Sequence, residues 1–86
     1  MSRLNFGKAL EELKSGGRVA RSGWNGKGMW LQMVRSDAWS MSSDALSSDS
    51  RLGLLPWVGM KTADDNFIPW LASQTDILSE DWEILE

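Results

Sequence analysis

The segment Gly59–Trp82, GMKTADDNFIPWLASQTDILSEDW, contains more fold-determining signals than any other part of the chain. Two runs typical of β-strands, Val58–Thr62 and Phe67–Leu71, flank the turn-forming sequence ADDN. The pattern predicts an antiparallel β-hairpin. Pro69 has no N–H to donate to a neighbouring strand, so the second strand is predicted to lie at a sheet edge or to break its pairing there, beside Trp70.

A second helix is predicted directly after the hairpin. The polar residues Ser73, Thr75 and Asp76 precede a short apolar run, as they do at a helix N-terminus, where unpaired N–H groups and the helix dipole favour an anion. Two interpretations remain open. Trp70 lies beside an anion site, or Trp70 is a core residue and Ser73 or Thr75 only caps the helix.

An amphipathic first helix is predicted after Asn5, a typical N-cap residue. Its apolar residues recur at the i, i+3, i+4, i+7 spacing and are Phe6, Ala9, Leu10 and Leu13. The Gly16-Gly17 pair ends this helix, and short strands are predicted at residues 18–21, 29–34 and 82–85. We therefore predict an α+β fold, with an N-terminal helix packed on an antiparallel β-sheet and a short second helix near the C-terminus. One domain spans residues 1–86.

The segment Ser22–Gly28, SGWNGKG, places three glycines around a Trp, an Asn and a Lys. The Asn25-Gly26 pair is typical of a two-residue hairpin turn, which would let Trp24 fold back over the sheet. The glycines also suit a loop whose backbone N–H groups approach a phosphate while Trp24 stacks on a base and Lys27 supplies charge. The residues alone leave both interpretations open.

Between Ser36 and Ser50 the composition changes, with seven serines and no period of 2 or 3.6. This segment is predicted to be a long loop or an insertion. Such loops in compact domains are usually functional or disordered, so its order is predicted to depend on whether Trp39 anchors it.

Composition limits the class of protein. The chain has 86 residues, no cysteine and no apolar stretch long enough for a membrane span, which predicts a soluble cytosolic protein without disulfides or a signal peptide. Residues 1–35 carry seven Lys or Arg against two Glu, whereas residues 36–86 carry two against ten acidic residues. This balance argues against a binder of nucleic acid polymers, but it allows a pocket for one small anion. Six tryptophans suit cores, interfaces and nucleobase sites alike.

Motifs for catalysis are missing from the sequence. There is no histidine, no Walker loop and no dinucleotide-binding glycine motif. The Asp64-Asp65 pair is interpreted as turn chemistry, and the group Glu80, Asp81 and Glu83 as a solvated acidic end, because neither has the ligand spacing of a metal site. We predict that the protein is not an enzyme, with no catalytic residues, no metal and no cofactor.

Three segments together resemble one family. They are NFGKALEELKSGGRVAR, SGWNGKGMWL and LPWVGMKTADDNFIPWLASQTDILSEDWEI, and they cover most of the chain except the Ser-rich middle. In the order and spacing of GWNGKGMW and PWLASQTDILSEDW, the chain resembles the small phage-encoded Thoeris anti-defence proteins of the second type.

The resemblance implies a binding protein that acts as a sponge in the cytoplasm of the infected bacterial host. Proteins of this family sequester the cyclic ADP-ribose isomer made by the Thoeris sensor, glycocyclic ADP-ribose, and leave it intact. Some members also hold cyclic dinucleotides in a separate site. The family assembles as homotetramers with ligand pockets between subunits.

Roles for individual residues are expected by position in the matching motifs. Trp24 is expected to stack on the base and Trp70 to form the second wall of the pocket, while Arg21 and Lys27 meet the pyrophosphate. The residues expected to bond ribose hydroxyls or the base edge are Asn25, Ser73, Thr75 and Asp76, and the apolar walls are Met29 and Pro69.

A second function remains open. The chain is alternatively a small homo-oligomeric phage structural or partner-binding module without a nucleotide ligand. In that case Trp24, Trp57 and Trp70 anchor subunit interfaces.

Overall fold

The computed structural model describes residues 3–24, 28–41 and 52–85. Within these residues the chain forms two α-helices and one five-stranded antiparallel sheet of order β4-β3-β2-β1-β5. The elements are α1 (Phe6–Lys14), β1 (Arg18–Arg21), β2 (Trp30–Val34), β3 (Trp57–Lys61), β4 (Phe67–Pro69), α2 (Gln74–Leu78) and β5 (Trp82–Leu85). The predicted α+β architecture is confirmed.

Helix α1 begins and ends where its sequence predicts. The side chain of Asn5 accepts a hydrogen bond from the backbone N–H of Lys8 at 2.9 Å, which caps the first turn. After the helix, Gly16 adopts a positive φ of 99°, a conformation that glycine reaches without steric cost. Ala9 and Leu13 are fully buried against the sheet, so the helix covers one sheet face with its apolar side.

The hairpin of β3 and β4 has a three-residue loop. Thr62 and Asn66 close the loop through a 2.7 Å backbone hydrogen bond, and Asp65 takes a positive φ of 67°. Pro69 pairs with Gly59 on the outermost strand, and the backbone N–H of Trp70 then donates to the carbonyl of Val58 at 3.0 Å. The prediction of an edge strand at Pro69 is confirmed.

The opposite edge is formed by β5, which pairs with β1 along its whole length. Trp82 opens this strand and is fully buried, and its backbone exchanges two hydrogen bonds with Leu4, at 2.8 and 3.1 Å. Helix α2 lies on the same face of the sheet as α1. Trp82 is buried with Ala9 and Leu13 of α1, and its indole N–H donates to the backbone carbonyl of Asp76 in α2 at 3.0 Å.

The sheet face opposite α1 carries a row of aromatic side chains. Phe67 lies 6.3 Å from Trp30 and 6.2 Å from Trp57, measured between ring centroids. Gly59 has no room for a side chain, since a Cβ there would clash with the Phe67 ring. At the end of this row, Trp39 donates its indole N–H to the carbonyl of Leu55 at 2.9 Å.

The Ser-rich segment is described in part. Residues 36–41 contain a short 3-10 turn, Ser36–Ala38, followed by the anchored Trp39, whereas positions 42–50 of the predicted loop lie outside the described residues. Over the described part of the chain, neither helix has the length and apolar character required to cross a membrane.

Candidate functional site

The two predicted ligand-binding tryptophans, Trp24 and Trp70, pack against the same buried residue, Trp82. The ring of Trp24 meets Trp82 edge-on, with centroids 5.4 Å apart and planes at 79°, and Trp70 meets it at 6.0 Å and 84°. Phe6 of α1 lies 6.1 Å from Trp70. Trp24 and Trp70 are half-buried, so each ring contributes to the core and keeps part of its surface exposed.

A cation held by two carboxylates lies beside this aromatic cluster. Arg21, the last residue of β1, donates from Nη1 to Asp76 Oδ1 at 2.9 Å and from Nε to Asp81 Oδ1 at 2.9 Å. Its Nη2 lies 3.5 Å from Asp81 Oδ2. One positive charge thus faces two negative charges, so the group carries a net charge of −1 when all three are ionised.

Asp76 connects the ion pair to the aromatic cluster. Its Oδ1 accepts hydrogen bonds from Arg21 and, at 3.4 Å, from the indole N–H of Trp24. Its Oδ2 accepts from the backbone N–H and hydroxyl of Ser73, while the backbone N–H of Asp76 donates to the Ser73 hydroxyl. This reciprocal pattern is a capping box, so Ser73, one of the two cap residues left open by the sequence, is the N-cap of α2.

Asp81 was interpreted from sequence as part of a solvated acidic end, and this interpretation is wrong for that residue. Its side chain is largely buried and paired with Arg21, and its Oδ2 also accepts from the backbone N–H of Gly23 at 2.8 Å. No local pattern distinguishes Asp81 from neighbouring acidic residues, because its partners lie about sixty positions earlier and reach it only through the pairing of β1 with β5.

The hydrogen bonds shift the pKa of each group toward its charged form. For Asp81, the hydrogen bond from Arg21 lowers the pKa, and partial burial opposes this only in part. For Asp76, burial raises the pKa, but the hydrogen bonds from Arg21 and Ser73 outweigh it and leave the pKa lowered. The hydrogen bonds to Asp81 and Asp76 raise the pKa of Arg21. All three groups are therefore ionised at neutral pH.

The other predicted site residues lie at different places. Thr75 is exposed within α2, where its backbone carbonyl accepts from the Ser79 hydroxyl at 2.5 Å. Met29 is half-buried before β2, and Pro69 is exposed on the edge strand directly before Trp70. Asn25 and Lys27 lie outside the described residues.

Two open cavities lined by described residues lie away from this cluster. Each has a volume of about 460 Å³, and they lie next to each other around Met33 and Arg35. One of them is lined by aromatic residues of the open sheet face, including Trp39, Trp57 and Phe67. The structure thus brings Arg21, Trp24, Trp70, Ser73 and Asp76 into one region, and none of these residues lines either of the two cavities. In the parts of the chain that the structure covers, no three acidic, histidine or cysteine residues are grouped as metal ligands.

Comparisons with known proteins identify relatives of the whole chain. A family model described as the Thoeris anti-defense 2-like domain matches residues 4–85. A protein of Bacillus phage SP01, described as Thoeris anti-defense 2, is 43% identical over 93 residues, which cover 98% of this chain and 97% of the phage protein.

Proposed function

We propose that this chain, which belongs to the Thoeris anti-defense 2-like family of phage anti-defence proteins, blocks Thoeris immunity by acting as a sponge. It binds glycocyclic ADP-ribose, the cyclic ADP-ribose isomer that signals in this system, and holds it without cleaving it. Cyclic dinucleotides are a second class of ligand in this proposal. The protein acts in the cytoplasm of the infected host.

The main support for the proposal is that Trp24, Trp70 and Asp76 all lie next to Trp82. Both indoles are half-buried against Trp82, and the carboxylate of Asp76 hydrogen-bonds Trp24 directly. A cyclic ADP-ribose isomer offers an adenine face for stacking and sugar hydroxyls for hydrogen bonds. Two fixed indoles beside polar side chains match that combination, and each base–aromatic stack contributes about 1–3 kcal/mol.

The pyrophosphate of the ligand needs positive potential. Lys27 and Arg21 are the proposed partners, but Arg21 already binds Asp76 and Asp81 through charge-assisted hydrogen bonds. For Arg21 to contact the phosphate, the phosphate has to share the guanidinium with these carboxylates. Binding through Arg21 therefore requires a small rearrangement of the ion-pair group.

We further propose that the pocket is completed by a second subunit in a homo-oligomer, with a tetramer as the expected assembly. Leu71 follows Trp70 and is 92% exposed, and Leu78 at the end of α2 is 75% exposed. Apolar side chains this exposed beside the cluster favour association, since their burial between subunits is worth roughly 25 cal/mol per Å² of surface removed from water. A second subunit would also enclose the ligand, which slows its release.

The experiment that tests the sponge combines capture with release. The purified protein is incubated with glycocyclic ADP-ribose and removed by filtration, and the filtrate is tested for activation of the Thoeris effector. The retained protein is then heated, and the released material is tested in the same way. A silent filtrate with an active heated fraction supports capture without cleavage. An active filtrate contradicts the proposal, and an inactive heated fraction with altered ligand indicates hydrolysis.

A pair of tryptophan variants separates the site from general effects on folding. Trp24→Ala is expected to weaken signal binding about five- to 150-fold, the equivalent of one lost stack. Trp30→Ala is the matched control, because Trp30 packs on Phe67 on the opposite sheet face. Equal affinity of Trp24→Ala and the parent would assign Trp24 a structural role.

The exposed apolar residues also favour the second candidate, a homo-oligomeric structural or partner-binding module. Under that function Trp24→Ala changes the elution volume on a sizing column, and neither glycocyclic ADP-ribose nor a cyclic dinucleotide gives heat in a titration. Leu71→Ser and Leu78→Ser are expected to weaken the assembly under either function, and they lose signal binding as well only if the pocket is shared between subunits.

A further inference from the structure

We propose that Asp81 is the positioning residue of the Trp24 site. It acts through Gly23 and Arg21, and it holds the turn after β1 in the conformation that places the Trp24 indole against Trp82. This inference rests on the proposed function for its effect on ligand binding, and it extends that function to a residue that touches no ligand.

Asp81 bonds to each of the three residues that precede Trp24. Its Oδ1 accepts from Arg21 Nε at 2.9 Å, and its Oδ2 accepts from the Gly23 N–H at 2.8 Å and from the Ser22 hydroxyl at 3.4 Å. Its backbone carbonyl accepts from the Ser22 N–H at 3.0 Å. One residue therefore binds both the backbone and the side chains of the turn.

The turn sets the position of Trp24. The backbone N–H of Trp24 donates to the carbonyl of Arg21 at 3.2 Å, which closes the turn immediately before the indole. Residues 22–24 belong to neither a helix nor a strand, so the regular pairing of β1 with β5, which ends at Arg21 and Trp82, does not include them, and other contacts must restrain the turn. The bonds to Asp81 supply that restraint, and Trp24 is left with its ring edge-on to Trp82 and its N–H toward Asp76.

Gly23 provides a way to disturb this contact without changing Asp81. A Cβ on Gly23 would lie 2.7 Å from Asp81 Oδ2 and 3.3 Å from Arg21 Nη2. Gly23→Ala therefore forces the Asp81 carboxylate away from the backbone N–H of residue 23, whose hydrogen bond it accepts. Gly23 does not adopt a positive φ, so the substitution tests the contact and not backbone strain. Gly53→Ala is the matched control, since a Cβ there meets nothing within 4 Å.

The test is a double-mutant cycle on the affinity for glycocyclic ADP-ribose, measured by titration calorimetry. Gly23→Ala and Asp81→Ala are each expected to weaken binding by up to the loss of about five- to 150-fold given above for Trp24→Ala, because each acts by displacing that indole. The double variant is expected to bind no worse than the weaker single variant, because both changes remove the same contact. Gly53→Ala binds as the parent does. Asp81→Asn replaces Asp81→Ala in the cycle if the alanine variant does not fold.

A second measurement reports the position of Trp24 without any ligand. The six indole N–H resonances are recorded by NMR, and the Trp24 signal is identified by its loss in Trp24→Phe. This signal is expected to shift in Gly23→Ala and Asp81→Ala and to stay in place in Gly53→Ala. If the parent protein does not bind the signal, the proposed function fails, and a shifted indole resonance still supports the positioning role.

Two results would overturn the inference. One is an unchanged Trp24 resonance and unchanged affinity in folded variants that have only lost thermal stability, which is what a purely structural Asp81 predicts. The other is an additive cycle, in which the double variant loses the sum of the two single free-energy losses.

Discussion

Removing the guanidinium of Arg21 is expected to destabilise the fold more than any change of a surface charge. Arg21→Ala deletes two 2.9 Å hydrogen bonds to carboxylates. The side chains of Arg21, Asp76 and Asp81 are only 16%, 14% and 20% exposed, so the two anions would remain largely desolvated without a cation.

The magnitude follows from the two lost bonds. A hydrogen bond to a charged group contributes about 1.5–3 kcal/mol, and removing one partner of a buried pair costs about 3–5 kcal/mol. Because these carboxylates keep some contact with water, we expect a loss of about 3 kcal/mol in the free energy of unfolding. At roughly 4–8 °C per kcal/mol for a domain of this size, the melting midpoint falls by about 12–24 °C.

The assay is urea unfolding at pH 7 and one fixed protein concentration, since assembly makes apparent stability concentration-dependent. Lys8→Ala is the control, because Lys8 and Glu11 form an exposed pair at 3.9 Å that contributes little. If the losses in Arg21→Ala and Lys8→Ala differ by less than about 1 kcal/mol, the half-buried group of Arg21, Asp76 and Asp81 does not stabilise the fold more than an exposed ion pair does.

Three further changes test separate parts of the structure. Because the pKa values of Asp76 and Asp81 are lowered in the folded state, the two ionised carboxylates stabilise the fold fully above the unfolded pKa of about 3.9, and this stabilisation is lost as the pH falls through the folded pKa values. Urea unfolding should therefore show a declining free energy of unfolding below about pH 4. An increase would contradict the pairing with Arg21. Asn5→Ala should cost about 1 kcal/mol in thermal unfolding, whereas Asn5→Asp keeps the cap and should cost little. Gly59→Ala should displace the Phe67 ring and cost about 1–3 kcal/mol, and the loss should shrink when Phe67 is also alanine.

The local elements could be predicted because their causes are local. Helix α1 follows from a cap, an apolar period and a glycine pair within a dozen residues, and the hairpin follows from turn chemistry between two strand-like runs. Pro69 predicts its own edge position, since it has no N–H to give. In each case the local conformation is determined by interactions between residues that are close in sequence.

The candidate site could be predicted only in part. Trp24, Trp70 and Asp76 were expected from their motifs, and the structure places them together around Trp82. That Arg21 is held by two carboxylates was not expected, because sequence does not tell which acidic residue meets which cation. The assigned binding roles of these residues stay predictions.

The ends of α1, the edge hairpin and the start of α2 could be predicted because they depend on contacts within a few residues, and the α+β class follows from the succession of such elements. In contrast, the bonds of Asp81 to Arg21 and Gly23 and the burial of Trp82 beneath Trp24 are visible only in the folded chain. These contacts form only when β1 and β5, about sixty residues apart in sequence, pair in the sheet. A side chain in such a contact carries no local sign of its partner.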